Sequence, residues 1–394
     1  MPRPSVEFAI DVANGTPSNF EQAESLLQVV AEGVRREFAE AKSSAVEAIQ
    51  AFTKALREDY LPKVKEEFAL GEERLSKLMW VQDRVHQPLN EILALGLQDL
   101  NQNKDDFIET ARRIDPSKSP QDIMKLVGLD HSKADSLIGD TQGLLEEIRQ
   151  FTVQKDLVTY PSEERCVVAE TPSYARGLFT AAMDSPGPFE EGSTRAVYYV
   201  TPVDERWSEE RKEEWLRYLN TASLKDASIH EAYPGHYLHF LHLKNLKTKA
   251  SRAFISYAFT EGWAHYCEEM LVQQGFGEGD LKLRLAVLQG ALERDCRYVC
   301  SIKMHTRQFS LKEATQFFID NAFLESLPAE REARRGAIDP GYYSYTLGKL
   351  FIKKTYQSYR LTHPTLTLKN FHDALLSLGA PPVGYLENLM TSAI

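Results

Sequence analysis

A Pro-Gly pair constrains this chain more than any other feature. Pro234 and Gly235 interrupt Ser228-Ile-His-Glu-Ala-Tyr-Pro-Gly-His-Tyr-Leu-His239, a stretch flanked by helical patterns on both sides. Proline lacks an amide donor and clashes with the preceding turn, while glycine admits backbone paths other residues refuse. A regular helix therefore cannot run through this step. His230 and His236 lie six residues apart across it. At about 100° per residue, that spacing separates them by about 120° round an undisturbed helix. A bulge or wide turn absorbing two residues would return His236 to the His230 face.

A second segment, Thr260-Glu-Gly-Trp-Ala-His-Tyr-Cys-Glu-Glu269, follows on its own helical run. Two imidazoles joined by a carboxylate from a neighbouring helix make the donor set of a hydrolytic Zn²⁺ site, with the fourth position left to water. The expected metal ligands are His230, His236 and Glu261. Glu231 is expected as the general base, taking a proton from metal-bound water and passing it to the leaving amine. Glu268, two turns past Glu261 on the same face, competes as ligand or supports one from behind. His239, three residues from both His236 and His242, offers an alternative register. His86, His131, His242, His265, His363 and His372 are read as structural or surface residues.

The surroundings are those of an ordinary globular chain. Its 394 residues are 43% hydrophobic and 26% charged, enough to bury a core without disulfides. A net charge of −11 disfavours nucleic acid or an anionic membrane as partner. The four cysteines, Cys166, Cys267, Cys296 and Cys300, show no metal-knuckle spacing and suggest a reduced setting; Cys296 and Cys300, four apart on a helix, are expected on one buried face. No apolar run reaches membrane-span length, and the start lacks a signal-peptide core. The expected setting is cytoplasmic as written, or periplasmic or secreted if a leader has been removed.

Helical patterns cover residues 19–58, with Ser18-Asn19 as cap, then 62–101, 103–113, a helix capped by Ser119, and 131–153. Two β-branched, aromatic stretches, Cys166–Glu170 and Ala196–Thr201, read as strands with a loop-rich segment between them. They form either an edge for an extended peptide or a hairpin over the core. Helices resume at Ser208. The expected fold is mainly α: a large multi-helix body with a small sheet or hairpin before the metal helix. The expected division is a helical array over residues 1–155 and a zinc-binding helical region over 156–394, joined as one globular unit.

These segments resemble the bacterial family known as domain of unknown function 885. The resemblance rests on Tyr198-Tyr-Val-Thr-Pro202, His230-Glu-Ala-Tyr-Pro-Gly-His236, Glu261-Gly-Trp-Ala264, Asp339-Pro-Gly-Tyr-Tyr-Ser-Tyr-Thr-Leu-Gly-Lys349, Phe371-His-Asp-Ala374 and Gly379-Ala-Pro-Pro382. Members are similar to helical zinc metallopeptidases of the thermolysin-like clan. The resemblance implies His230, His236 and Glu261 as zinc ligands and Glu231 as base. Tyr237 departs from the many relatives that carry a histidine there. Members also often have lipoprotein leaders and a longer N-terminal region.

Peptide hydrolysis further needs a donor for the developing oxyanion. Tyr343 and Tyr345 lead the candidates, ahead of Tyr342, with His305 behind them. Arg294, Arg297, Arg334 and Arg335 are candidates for holding a substrate carboxylate. The expectation is a zinc-dependent metallopeptidase acting on short peptides. The alternatives are a zinc hydrolase of non-peptide amides or esters, and a non-catalytic helical binding protein with a degenerate metal site.

Overall fold

The computed structural model describes residues 2–27, 30–65, 67–172, 175–176, 179–190 and 195–392. Its first half is helical: α1 (Arg3–Leu26), α2 (Glu32–Ala55), α3 (Glu72–Asp83), α4 (Leu89–Ile114), α5 (Pro120–Gly128) and α6 (Leu137–Gln154). A small sheet follows, of β1 (Val167–Glu170), β2 (Ala181–Asp184) and β3 (Val197–Val200). Next come α7 (Glu209–Tyr218), α8 (Thr221–Glu231), α9 (His236–Lys244), α10 (Lys249–Ala253) and α11 (Tyr257–Gln273). The chain closes with α12 (Leu281–His305), α13 (Leu311–Ala322), α14 (Ser326–Ile338), α15 (Ser344–Thr362), α16 (Leu368–Ser377) and α17 (Leu386–Ser392). The fold is mainly α with a minor sheet, as the sequence periodicity predicts.

Capping chemistry sets several of these starts. The Ser119 hydroxyl accepts from Asp122 N–H at 3.2 Å with Pro120 in the first turn, and Ser208 accepts from Arg211 N–H at 3.3 Å. The expected cap at Ser18-Asn19 is corrected. The first helix begins at Arg3, with Pro4 in its first turn, where a missing amide costs little. Ser18 lies inside that helix and donates back to Gly15 O at 2.7 Å.

The hairpin alternative is also corrected. β1 and β3 run parallel, and β2, which falls within the segment read as loop, pairs antiparallel with β3 to give the order β1-β3-β2. Parallel neighbours need a crossover, and residues 171–196 supply it. Ala-Ala-Met-Asp184 lacks the β-branched character that marks the other two strands, so its local signal is weak.

One continuous core runs from Leu75 to Met390, and Val6, Ile10 and Leu56 form a small separate cluster. Within the main core, α4 lies along α12, burying Ile92, Leu100 and Phe107, each worth roughly 1.5–3 kcal/mol. The Tyr298 hydroxyl pins the pair by donating to Ile92 O at 2.9 Å. A second close crossing joins α11 to α15. A Cβ on Gly348 would lie 1.8 Å from Ala258 O, and one on Gly262 would lie 2.4 Å from the Gly348 Cα. Only two glycines let these backbones meet, and their meeting fixes the helix that carries Glu261.

Candidate metal centre

The chain does not bulge at Pro234-Gly235; it stops and restarts. α8 ends at Glu231, the chain turns through Ala232–Gly235 with a cis Tyr233–Pro234 bond, and His236 opens α9. Of the two expected forms, a bulge or a wide turn, the structure takes the turn. The turn folds back tightly, with Gly235 N–H donating to Ile229 O at 3.1 Å. A Cβ at position 235 would lie 1.8 Å from His230 O, so the approach demands glycine. Trp263 on α11 clamps the turn by donating its indole N–H to Pro234 O at 2.9 Å.

The restart brings the two imidazoles together. Their ring centroids lie 4.7 Å apart at 84°. His230 Nε2 is 3.3 Å and His236 Nε2 3.6 Å from Glu261 Oε2, and one donor atom from each residue falls within 4.8 Å of the others. Ligand bonds of about 2.0–2.1 Å in tetrahedral array separate donor atoms by about 3.4 Å. The three side chains therefore fit a cation of zinc size. Their exposures of 8, 10 and 12% leave a narrow opening to solvent.

Burial opposes charge on both Glu261 and His230, and hydrogen bonds reverse it in each case. Those from His230 and His236 hold the Glu261 carboxyl below the usual range. Those to Glu261 and Glu268 raise His230 to about 10. The cluster requires positive charge between its carboxylates. A proton on His230 or a bound cation provides it, and the two compete.

Glu268 stands behind the first ligand. Its Oε1 accepts from His230 Nδ1–H at 2.5 Å, which leaves the Nε2 lone pair of a neutral ring facing Glu261 and His236. The other oxygen meets His265 Nδ1 at 3.0 Å, and Arg294 reaches both oxygens at 3.0 and 3.1 Å. Burial would raise this fully enclosed carboxyl, but the Arg294 charge and then the two histidines hold it below the usual range. Glu268 thus supports a donor instead of competing with Glu261.

Glu231 follows His230 and lies half-buried beside the sheet, outside the group of three donors. Its Oε2 accepts from Met183 N–H on the edge strand β2 at 3.1 Å. An oxygen held by one backbone amide, next to the cluster, is placed to accept a proton.

Two expected oxyanion donors lie elsewhere. The buried Tyr343 hydroxyl donates to Asp83 Oδ2 at 2.9 Å, tying α15 to α3. His305 Nε2 bonds to Gly336 O at 2.9 Å, and its ring packs edge-on against Phe68. His305 also lies eleven residues past Arg294 on α12, about 16 Å along the axis. Both are corrected to structural residues. Tyr345 stays at the site, its hydroxyl 2.7 Å from that of Tyr257. Sequence reasoning passed over Tyr257, although its place four residues before Glu261 on one helical face was a usable signal. Burial, then the Glu261 charge, push the Tyr257 hydroxyl pKa up, so it remains a proton donor.

The remaining candidates have other partners. His239 is fully buried, with Nε2 3.3 Å from Gly379 O and its ring stacked on Phe240; His242 Nε2 meets Thr159 O at 2.8 Å. The alternative register is thereby corrected. Arg297 pairs with Glu293 and Glu332, and exposed Arg334 pairs with Glu330 at 3.0 Å. All four cysteines are free and buried, Cys296 and Cys300 as expected.

Two solved structures share this fold. A "putative lipoprotein of unknown function" from Shewanella oneidensis is 23% identical, with a TM-score of 0.79 over 99% of this chain and 73% of its own. A "putative lipoprotein" from Colwellia psychrerythraea is 20% identical, with a TM-score of 0.85 over 100% of this chain and 70% of its own. No curated protein matches the chain. The family model described as "Bacterial protein of unknown function (DUF885)" matches residues 1–390, and the chain belongs to that family.

Proposed function

We propose that the protein is a zinc-dependent peptidase acting on short peptides. The observation that carries this reading is the convergence of His230, His236 and Glu261 on one point, with Glu268 bonded to the far side of His230 and Glu231 alongside. That is a donor set with its orienting carboxylate and an adjacent base. A divalent cation held by the three side chains supplies Lewis acidity and lowers the pKa of water.

The chain's own residues do the rest. Glu231 takes the proton as water oxygen bonds to the carbonyl carbon, and returns it to the amine nitrogen as the C–N bond breaks. The hydrolysis thereby consumes one water and leaves a carboxylate and an amine. The Tyr257–Tyr345 hydroxyl pair donates toward the oxygen that gains charge. The edge strand β2, which holds Glu231, offers backbone groups to an extended peptide. The lipoprotein descriptions of the two structural neighbours favour action outside the cytoplasm. No helix among the described residues is long and apolar enough to cross a membrane.

The test is metal analysis joined to a peptide-library digest of wild type and Glu231→Gln. The expected result is one zinc per chain in both proteins, with turnover at least about 100-fold lower in the variant. Absence of stoichiometric metal, or equal turnover by the two proteins, would overturn the reading. Cleavage of esters or small amides with no peptide cleavage would replace the substrate class and keep the zinc chemistry.

A further inference from the structure

Three guanidinium groups surround the Tyr345 ring, with their central carbons 5.5 Å (Arg297), 5.9 Å (Arg335) and 6.0 Å (Arg294) from its centroid. Two of them are neutralised. Arg294 grips Glu268, and Arg297 is held by Glu293 and bidentately by Glu332, at 2.6 and 3.0 Å. Arg335, on α14, has no carboxylate within 4 Å among the described residues. Its Nη2 lies 3.5 Å from the Tyr345 hydroxyl. Burial and then the Arg297 charge act against this cation, while the Tyr345 hydroxyl and the more distant Glu332, itself held by Arg297, favour it. A half-buried guanidinium whose nearest acidic neighbour, Glu332, is already gripped by Arg297 keeps its fork open for a visiting anion.

Its position tells which anion. From Glu261 the α11 helix steps back one turn to Tyr257, whose hydroxyl touches that of Tyr345, which in turn touches Arg335. These contacts put Arg335 on the Tyr257–Tyr345 side of the metal cluster, a separation that a few extended residues, at about 3.5 Å each, can span. A guanidinium fork matches a carboxylate bidentately. A peptide with its scissile carbonyl at the cluster places its terminal carboxylate at this reach.

Resting on the peptidase reading above, we propose that Arg335, backed by the Tyr345 hydroxyl, binds the free α-carboxylate of the substrate. The site then takes short peptides by the C-terminus and cuts within a few residues of it.

The test uses zinc-loaded protein and a pool of N-acetylated tripeptides, each present as the free acid and as the C-terminal amide. Wild type is expected to cleave acids with kcat/KM at least about 10-fold above the matching amides. Arg335→Gln is expected to erase that ratio, mainly by raising KM for the acids. Arg335→Lys, which keeps charge and loses the fork, falls between and serves if the glutamine variant does not fold. Equal cleavage of acids and amides by wild type, any preference that survives in Arg335→Gln, or an undiminished preference in Arg335→Lys, overturns the proposal. If no peptide is cleaved, the peptidase reading fails. Equilibrium dialysis of the same pool against zinc-loaded Glu231→Gln, with and without Arg335→Gln, then decides the inference separately. Retention of acids over amides that depends on Arg335 upholds a carboxylate site, and equal retention removes it.

Discussion

Glu268 accepts a 2.5 Å hydrogen bond from Nδ1 of His230, the ring nitrogen opposite the one that faces Glu261. One imidazole thus bridges two carboxylates seven residues apart on α11, one at the donor cluster and one behind it. His236 has no such support, since its Nδ1 is buried with no partner among the described residues. Orientation of the pair rests on the His230 side.

Glu268→Gln should therefore weaken zinc binding by about 10- to 100-fold, as loss of an orienting carboxylate does elsewhere. The same change leaves Arg294 facing a neutral group in the interior, so stability should fall by about 3 kcal/mol. Competition with a chelator reads the affinity, and urea unfolding reads the stability. Unchanged zinc affinity would mean that Glu268 serves Arg294 alone.

Gly235→Ala should abolish the site by moving its backbone. A Cβ 1.8 Å from His230 O cannot be accommodated without opening the turn between the two histidines. The expectation is loss of bound zinc, with destabilisation of about 3 kcal/mol. Zinc content after gel filtration, beside the melting temperature, checks it; a variant holding stoichiometric zinc would contradict it.

Removing either hydroxyl of the Tyr257–Tyr345 pair should slow the chemical step and spare the metal. A lost oxyanion donor costs about 3 kcal/mol, which is on the order of 100-fold in kcat. If only Tyr345→Phe has this effect, Tyr257 serves to position its neighbour. Steady-state kinetics of both phenylalanine variants, with zinc content measured alongside, separate these cases.

Asp83 should make folding pH-dependent. Burial pushes its carboxyl up to about 6, only partly offset by hydrogen bonds from Tyr343 and Ser256. The folded chain then keeps this proton where the unfolded chain, with Asp near 3.9, has released it. Its contribution is largest below about pH 4 and declines as pH rises to about 6, by roughly 2–3 kcal/mol. Asp83→Asn should remove this slope. Urea unfolding of both proteins from pH 4 to 7 compares them, and parallel curves would rule the effect out.

Much of the site was legible because its residues announce themselves locally. His230, Glu231 and His236 flank a Pro-Gly step, and Glu261 heads a helix whose next residue must be glycine to meet Gly348. The roles of the aromatic and cationic residues were not legible. Tyr343 and Tyr345 are two positions apart, yet one is buried against Asp83 from α3 and the other meets Tyr257 from α11. Helical spacing tells which face a residue occupies and leaves open what stands opposite.

The helical body, several of its caps, the break at Pro234-Gly235 and the inventory of donors can be read from residue order, because each follows from short-range backbone chemistry. The folded packing set the rest: β1 and β3 run parallel with an unforeseen β2 at the edge beside Glu231, Glu268 backs His230, and Arg335 has no carboxylate within 4 Å among the described residues. Those facts depend on contacts between segments tens to hundreds of residues apart, and such pairings are settled by how the whole core packs.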